Sequence, residues 1–101
     1  MPEIATKVDL CQGHDDCPPR AFATFSPSVT AEGFEVVREG DQLHEHGCAR
    51  HAPHGAVVRR GNARVCVDGY PVACVGSPVT CPSETIATGR PSVVVGGGGS
   101  G

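Results

Sequence analysis

The sequence predicts an all-β fold built from short hairpins, and three observations support this prediction. The 101 residues contain 14 Gly and 9 Pro, a share typical of chains with many turns and short strands. They contain only three Phe, one Tyr and no Trp, so large aromatic anchors for a core are scarce. A pattern of strand and turn signals also recurs along the chain. A chain of this length forms one small domain, and such domains often depend on a metal, a disulfide or a partner for stability.

The recurring pattern is a degenerate repeat. Residues 25–33 align with residues 61–69 at a constant offset of 36, and the same offset relates Val36 to Val72. A shorter third copy spans residues 89–97. Three copies of one supersecondary unit indicate stacking or pseudo-symmetry, because a single unit of this kind cannot bury its own apolar face.

Each copy has the pattern of a strand, a tight turn and a returning strand. Glu32-Gly33 and Asp68-Gly69 have the character of two-residue hairpin turns, with Asp-Gly the stronger signal. With these turns fixed, alternate residues share one face of each hairpin and predict the core. The predicted core residues are Val29, Ala31, Phe34, Val36, Val65, Val67, Tyr70, Val72, Val93 and Val95.

The register of the second hairpin also makes a prediction about cysteine. It sets Val65 opposite Val72 and places Cys74 opposite Ala63, with Cys66 on the other side of the ribbon. A disulfide between Cys66 and Cys74 would need a different register. Both residues are then best explained as small semi-apolar side chains.

Charge and hydropathy exclude several classes of function. The formal net charge is −3, and no basic run or aromatic-plus-basic stripe is present, so nucleic acid is not an expected partner. No apolar stretch approaches the roughly 18–20 residues that span a bilayer, so stable membrane insertion is not expected. The first nine residues carry acids and lack the basic-then-apolar layout of a secretory signal.

The connectors between the hairpins hold every histidine and four of the six cysteines. With no secretory signal, this pattern favours metal ligation over a disulfide framework. Four nitrogen and sulfur ligands suit tetrahedral zinc, and imidazole also suits iron. The spacing matches no standard zinc finger or zincin. The residues concerned are His14, His44, His46, His51 and His54, with Cys11, Cys17, Cys48 and Cys81.

Two other classes of function stay open on the residues alone. A disulfide-rich small binding module would use the six cysteines as three bridges and leave the histidines free. An enzyme could use a Cys–His pair such as Cys48 with His54. No oxyanion or nucleophile-elbow motif accompanies that pair, and the chain offers little material for a substrate pocket.

Several segments taken in order resemble the PAAR-repeat proteins, and the resemblance covers about residues 8 to 97. The pattern x-Ser/Asn-x-x-Val-x-x-x-Gly marks the hairpins. The chain departs from the family at two points: Ser77 stands where the family usually has Asp, and the Pro-Ala-Ala-Arg string is degraded to Tyr70-Pro-Val-Ala-Cys74. The other segments that carry the resemblance are residues 13–20, Gly40-Asp41, His46-Gly-Cys48, His54-Gly55 and residues 75–81.

The resemblance implies a small cone of three pseudo-repeated short β-hairpins with a metal site near the vertex. Carried over residue by residue, the metal ligands are His14, His46, His54 and Cys81, with His46 chosen over His44. One zinc per chain is expected, with iron as the other candidate. Four protein ligands leave no open position on the metal, so the expected role is structural and not enzymatic.

The resemblance also implies a partner and a location. PAAR-repeat proteins cap the blunt end of a trimeric β-helical spike, of VgrG type or in a phage tail, with one tip per trimer. There they sharpen the spike for membrane puncture in type VI secretion systems and contractile tails, and cargo effectors are further possible partners. We therefore expect the chain in the bacterial cytoplasm before assembly and then at the injected or extracellular tip, or in a virion tail. Residues 1–97 are expected to form the domain, and residues 98–101 a Gly/Ser linker or cloning scar.

Overall fold

The computed structural model describes residues 2–12, 20–48, 51–80 and 85–95, without the side chains of residues 45–48 and 51–55. The described part of the chain contains strands and turns and no helix, so the predicted all-β class is confirmed. The strands pair antiparallel as β1–β8, β2–β3, β4–β5 and β6–β7. Their bounds are β1 Glu3–Ile4, β2 Thr30–Ala31, β3 Phe34–Glu35, β4 Gln42–Cys48, β5 His51–Val57, β6 Asn62–Val67, β7 Tyr70–Val72 and β8 Arg90–Val94.

The two predicted hairpin turns have matching backbones. Glu32 and Asp68 have φ of 53° and 54°, and the following glycines, Gly33 and Gly69, have φ of 84° and 85°. Two successive residues with positive φ define a type I′ turn, whose twist suits a two-residue hairpin. The register Ala31 to Phe34, with its counterpart Val67 to Tyr70, is therefore as the sequence predicts.

The second hairpin departs from the predicted register beyond its turn. Cys66 lies opposite Pro71 as expected, but Val72 pairs with Asn62 and not with Val65. The cause is a bulge, because the Asn62 side-chain oxygen accepts the Arg64 N–H at 3.0 Å and turns the strand locally.

The placement of Cys74 is also corrected by the structure. Cys74 pairs with Ile4 and not with Ala63. Cys66 is exposed and Cys74 is buried, so their predicted separation is confirmed. Cys11, Cys66 and Cys74 are free thiols.

Three residues at the centre of the molecule join the repeats in a closed ring. The Ala5 N–H donates to the Ala73 carbonyl at 3.0 Å, the Val37 N–H to Ala5 at 3.0 Å, and the Ala73 N–H to Val37 at 2.9 Å. All three residues are fully buried. We call this set the central ring; it relates the three repeats by a pseudo-threefold axis.

A second set of backbone bonds confirms the equivalence of the repeats. In each bond, the N–H two residues after a ring residue donates to the carbonyl two residues before another ring residue. We number the repeats from the residues whose carbonyls accept these bonds. The first repeat begins at Glu3, the second at Glu35 and the third at Pro71. The three bonds run from Lys7 to Glu35 at 2.9 Å, from Glu39 to Pro71 at 2.8 Å, and from Val75 to Glu3 at 2.9 Å.

The prediction of a returning strand in every copy is wrong for the third copy, whose strand pairs with the start of the chain. β8 pairs with β1, and the Val95 N–H donates to the Pro2 carbonyl at 2.9 Å. The pair Val95 and Pro2 thus occupies the place that Ala31 and Phe34 hold in the first hairpin. The returning strand of the third copy comes from the start of the chain, which closes the pseudo-threefold arrangement in a circle.

Two apolar clusters lie on opposite sides of the segments that form the central ring. The ring residues themselves belong to one cluster, and their preceding neighbours Ile4, Val36 and Val72 belong to the other. Successive side chains of an extended chain point to opposite sides, which explains this division. The first cluster also includes Cys11, Phe22, Leu43, Val58, Val79 and Ile86, and the second includes Ala31, Val67, Cys74 and Val95.

Most of the predicted core residues are buried or half-buried, but two of them are exposed. Val29 is 38% exposed and Tyr70 is 53% exposed. The Tyr70 ring lies beneath the Arg38 guanidinium, 5.6 Å from the ring centroid, so this aromatic residue serves a surface cation–π contact. Val29 belongs to an equivalent set with Val65 and Val93, both of which are half-buried against the second cluster.

Candidate functional site

Three segments, which we call loops, begin and end at equivalent positions of the pseudo-threefold arrangement, and most of the second is the β4–β5 hairpin. Their bases are the bridges from Leu10 to Ala21, from Gln42 to Val57 and from Pro78 to Thr85. The first, second and third loops are residues 11–20, 43–56 and 79–84, and they contain 10, 14 and 6 residues. The fold therefore brings the bases of three loops of unequal length together.

Backbone hydrogen bonds fasten the base of each loop to a neighbouring repeat. These bonds run from the N–H of Gln12 to Thr85 at 3.0 Å, from His44 to Ala21 at 3.1 Å and from Thr80 to Val57 at 3.0 Å. The buried Arg20 adds a link between the first and second loops, because its Nη1 donates to the His44 carbonyl at 3.0 Å.

The residues predicted to ligate a metal are distributed over all three loops. His14 lies in the first loop and Cys81 in the third, and both fall outside the residues that the structure describes. His46 and His54 lie on β4 and β5 of the second loop, where they are register partners. Directly opposed residues of an antiparallel pair have Cβ atoms about 4.5–5.5 Å apart.

The structure tests the remaining histidines only in part. His44 is exposed, and its backbone is engaged at the loop base. His51 is the register partner of Cys48. Among the side chains that the structure describes, no group of three or more His, Cys, Asp or Glu could hold a metal ion. The ligand set predicted from the sequence therefore stays a prediction.

The structure also reveals three equivalent turns that the sequence reasoning missed. We call them the capped turns: the first is residues 6–9, the second 38–41 and the third 74–77. In each, a side-chain oxygen of the last residue accepts the backbone N–H of the first residue. These bonds run from Thr6 to Asp9 at 2.8 Å, from Arg38 to Asp41 at 2.7 Å and from Cys74 to Ser77 at 3.1 Å.

The capped turns explain the Ser that replaces the Asp usual in the resembling family. The Ser77 hydroxyl supplies the single acceptor that the turn requires, as Asp9 and Asp41 do in their own turns. The signal was present in the sequence, since the last residue of the three turns recurs at offsets of 32 and then 36.

Asp9 is fully buried in the first capped turn, and its carboxylate accepts hydrogen bonds from an arginine and a threonine. Arg90 donates to its carboxylate at 2.7 Å and 3.3 Å, and the Thr88 hydroxyl donates at 2.8 Å. Burial alone would raise the pKa of Asp9. The hydrogen bonds from Arg90, Thr6 and Thr88 outweigh that effect and hold its pKa below the ordinary value.

Asp41 plays the same part in the second capped turn with a different arginine. Arg38 of the same turn donates to its carboxylate through Nε and Nη2, both at 2.9 Å, and Thr24 donates at 2.9 Å. Burial would raise the pKa of Asp41, but the bonds from Arg38 and Thr24 lower it overall. The Arg38 Nη1 also reaches Asp68 at 2.9 Å, which connects the turn to the second hairpin.

The third capped turn lacks such a network. Ser77 is neutral, and Cys74 stands at the position that Arg38 has in the second turn. Cys74 is buried, and its burial raises the pKa of the thiol to about 11, so it carries no charge near neutral pH. The pseudo-threefold symmetry of the backbone is therefore not matched by the charges on the turns.

These features define a class of protein: a small β domain whose described residues form no helix and whose three repeats are related by a pseudo-threefold axis within one chain. A family model described as the PAAR motif matches residues 49–99, and the chain belongs to this family. His54 and Cys81 lie within the matched residues. A search of curated proteins found no match to the chain.

The PAAR motif is associated with the spike tips of type VI secretion and other contractile injection systems. Proteins that carry it are structural tip proteins, and the motif implies association with a spike protein such as VgrG. No segment of the described chain forms a helix long and apolar enough to cross a bilayer.

Proposed function

We propose that this chain caps a trimeric β-helical spike, of VgrG or phage-tail type, as a structural tip with one copy per trimer. The observation that carries the proposal is the central ring, whose three hydrogen bonds relate three unlike repeats by a pseudo-threefold axis. A single chain can contact three identical subunits in similar ways only if it presents three similar surfaces.

The equivalent valines Val29, Val65 and Val93 form the contact surface in this proposal. They pack against or beside the second apolar cluster, while residues at the bases of the three loops belong to the first. Partly exposed apolar positions related by threefold pseudo-symmetry suit the flat end of a threefold partner. The loops then point away from the spike and form the penetrating end.

Binding to the cognate spike trimer tests this assignment. Val29→Asp places a charge in the proposed contact, and we expect it to weaken binding at least tenfold by isothermal titration calorimetry. Val8→Asp is a matched control, since Val8 is 43% exposed and lies on the first capped turn. Equal weakening by both variants, or no binding of the unmodified chain to its cognate trimer, would refute the proposal.

The same proposal includes a structural metal at the loop end. One zinc, with iron as the other candidate, would be held by His14, His46, His54 and Cys81. The support is that all three loops supply a predicted ligand from the same end of the axis and that His46 opposes His54 in the register. Such a metal would cross-link loops that have few apolar residues, with a binding free energy on the order of 10 kcal/mol.

Elemental analysis of the purified protein tests the metal separately from the partner. We expect about one zinc or iron per chain, lost in His54→Ala together with thermal stability. His44→Ala serves as the control because His44 is exposed at the loop base. A metal-free parent protein, or metal loss in His44→Ala with retention in His54→Ala, would contradict the ligand set.

The location follows from the assembly. The chain would be present in the bacterial cytoplasm until it docks on the spike, and would then be carried outward at the tip of the machine or of a virion tail. In this proposal the tip also serves as an adaptor for separate cargo proteins.

A further inference from the structure

A groove of about 390 Å³ opens beside the third capped turn. Its lining includes Ser77 and Cys74 from the turn, with Arg60 and Asn62 from the neighbouring strand of the second repeat. The pseudo-threefold relation shows what fills the equivalent space at the other two turns, so the groove can be compared with two occupied counterparts in the same molecule.

At the first and second turns, a threonine and an arginine enclose a carboxylate. Thr88 donates to Asp9, and Thr24 donates to Asp41. At the third turn, the position equivalent to these two threonines is occupied by Arg60. Ser77 takes the place of the two aspartates. The third site therefore has a cation where the others have a hydroxyl, and has no carboxylate of its own.

The arginines of the first two turns also have shorter replacements at the third. Asn62 stands at the position of Arg90, which binds Asp9, and Cys74 stands at the position of Arg38, which binds Asp41. Both replacements are several atoms shorter than arginine. The missing side-chain volume explains why a groove is present at this turn.

Several hydrogen-bond donors of the groove have no protein acceptor in the described part of the chain. Arg60 is exposed and has no ion pair there. Ser77 accepts the Cys74 N–H, which leaves its own hydroxyl proton available to donate. Asn62 accepts through its oxygen, which leaves its amide group available.

Arg60 is the charged side chain among the described residues that line the groove. Among the described residues that line it there is no Asp or Glu. The carboxylate of Glu39 approaches the edge, where it accepts the Gly61 N–H at 3.0 Å. A guanidinium with neighbouring hydroxyl and amide donors matches the chemistry of a carboxylate.

We propose that this groove binds the carboxylate of an Asp or Glu side chain from a partner protein. The bound carboxylate completes at the third turn the arrangement that Asp9 and Asp41 complete within the chain. This inference goes beyond the proposed tip function and does not depend on it, because a spike subunit or a cargo protein could supply the acidic side chain.

Nuclear magnetic resonance titration of the ¹⁵N-labelled full chain tests the site. The probe is the blocked peptide acetyl-Gly-Glu-Gly-amide at millimolar concentration and constant ionic strength, with acetyl-Gly-Gln-Gly-amide as the neutral control. We expect saturable shifts of the amides of residues 60–62 and 74–77 with the acidic peptide only. The Gln peptide should produce no saturable shift.

Two variants and one control decide whether the shifts report this groove. Arg60→Gln removes the cation, and Ser77→Asp supplies an internal carboxylate; each should weaken peptide affinity at least fivefold. Arg64→Gln removes a nearby exposed arginine that does not line the groove, and affinity should stay within twofold of the parent. The proposal is wrong if the acidic peptide gives no localised shifts, if the Gln peptide gives the same shifts, or if Arg64→Gln weakens binding as much as Arg60→Gln.

Discussion

The first two capped turns and the third share a backbone but differ in their charges. Asp9 and Asp41 each accept a hydrogen bond from the turn N–H and also from a threonine and an arginine. Among the described residues, the Ser77 hydroxyl accepts a hydrogen bond only from the turn N–H. The comparison separates two roles that the aspartates combine. Closing the turn needs one side-chain acceptor, while linking the repeats electrostatically needs a buried carboxylate and a distant arginine such as Arg90.

The largest effect that this comparison predicts is the loss of a buried carboxylate. Asp41→Ala should lower the free energy of unfolding by about 3 kcal/mol, because Arg38 and the turn N–H lose their acceptor in a buried setting. Asp68→Asn removes the charge of the more exposed acceptor of the same arginine, keeps a residue that suits the positive φ of this turn, and should cost under about 1 kcal/mol. Urea denaturation checks both values, and equal losses would show that the buried network has no special weight.

The next effect is a dependence of stability on pH that arises from the carboxylates of the first two capped turns. The folded-state pKa values of Asp9 and Asp41 lie below their ordinary values, so the two groups stabilise the fold above the unfolded-state pKa of about 3.9. That stabilisation is lost as pH falls through the folded-state pKa values. Asp9→Asn combined with Asp41→Asn should therefore reduce stability near neutral pH and flatten its decline below about pH 4.

Unfolding free energies of the parent and the double Asn variant, measured in the same buffers from pH 2.5 to 7, check the acid prediction. The difference between the two proteins removes the contributions of the ionisable groups that both proteins share. Parallel curves throughout that range would mean that the two carboxylates do not govern the acid response.

The smallest change in stability is expected when a carboxylate is introduced at the third capped turn. Ser77→Asp should raise the free energy of unfolding by about 0.5–1 kcal/mol, because the new carboxylate can cap the turn and pair with Arg60 across an exposed groove. Arg60→Gln should remove most of this gain, so thermal unfolding of the two single variants and the double variant isolates the coupling. A destabilising Ser77→Asp, or a gain that persists without Arg60, would contradict the equivalence of the three turns.

The sequence was sufficient to predict the turns of the first two hairpins. The Asp68-Gly69 dipeptide and the repeat at offset 36 determine two of the hairpins, and the structure confirms their turns. The offset is 32 between the first two repeats, because the first loop is four residues shorter than the second. The unequal spacing concealed the segment that begins at Glu3, and with it the closure of the third hairpin by the chain ends.

Details that depend on single side chains could not be predicted from alternation. Asn62 bends its strand through a local hydrogen bond, so Val65 does not lie opposite Val72. Tyr70 follows the apolar pattern but contacts a guanidinium at the surface. At the loop end, the sequence predicts His46 and His54 as ligands, and the structure adds their pairing in the register.

The central claim is that one pseudo-threefold chain caps one threefold spike, and native mass spectrometry of the complex with the cognate spike tests it most directly. A mass that corresponds to three spike subunits and one copy of this chain is the predicted result. A complex with three copies per trimer, or no complex with the cognate trimer, would contradict the claim that the central ring adapts a single chain to a trimeric partner.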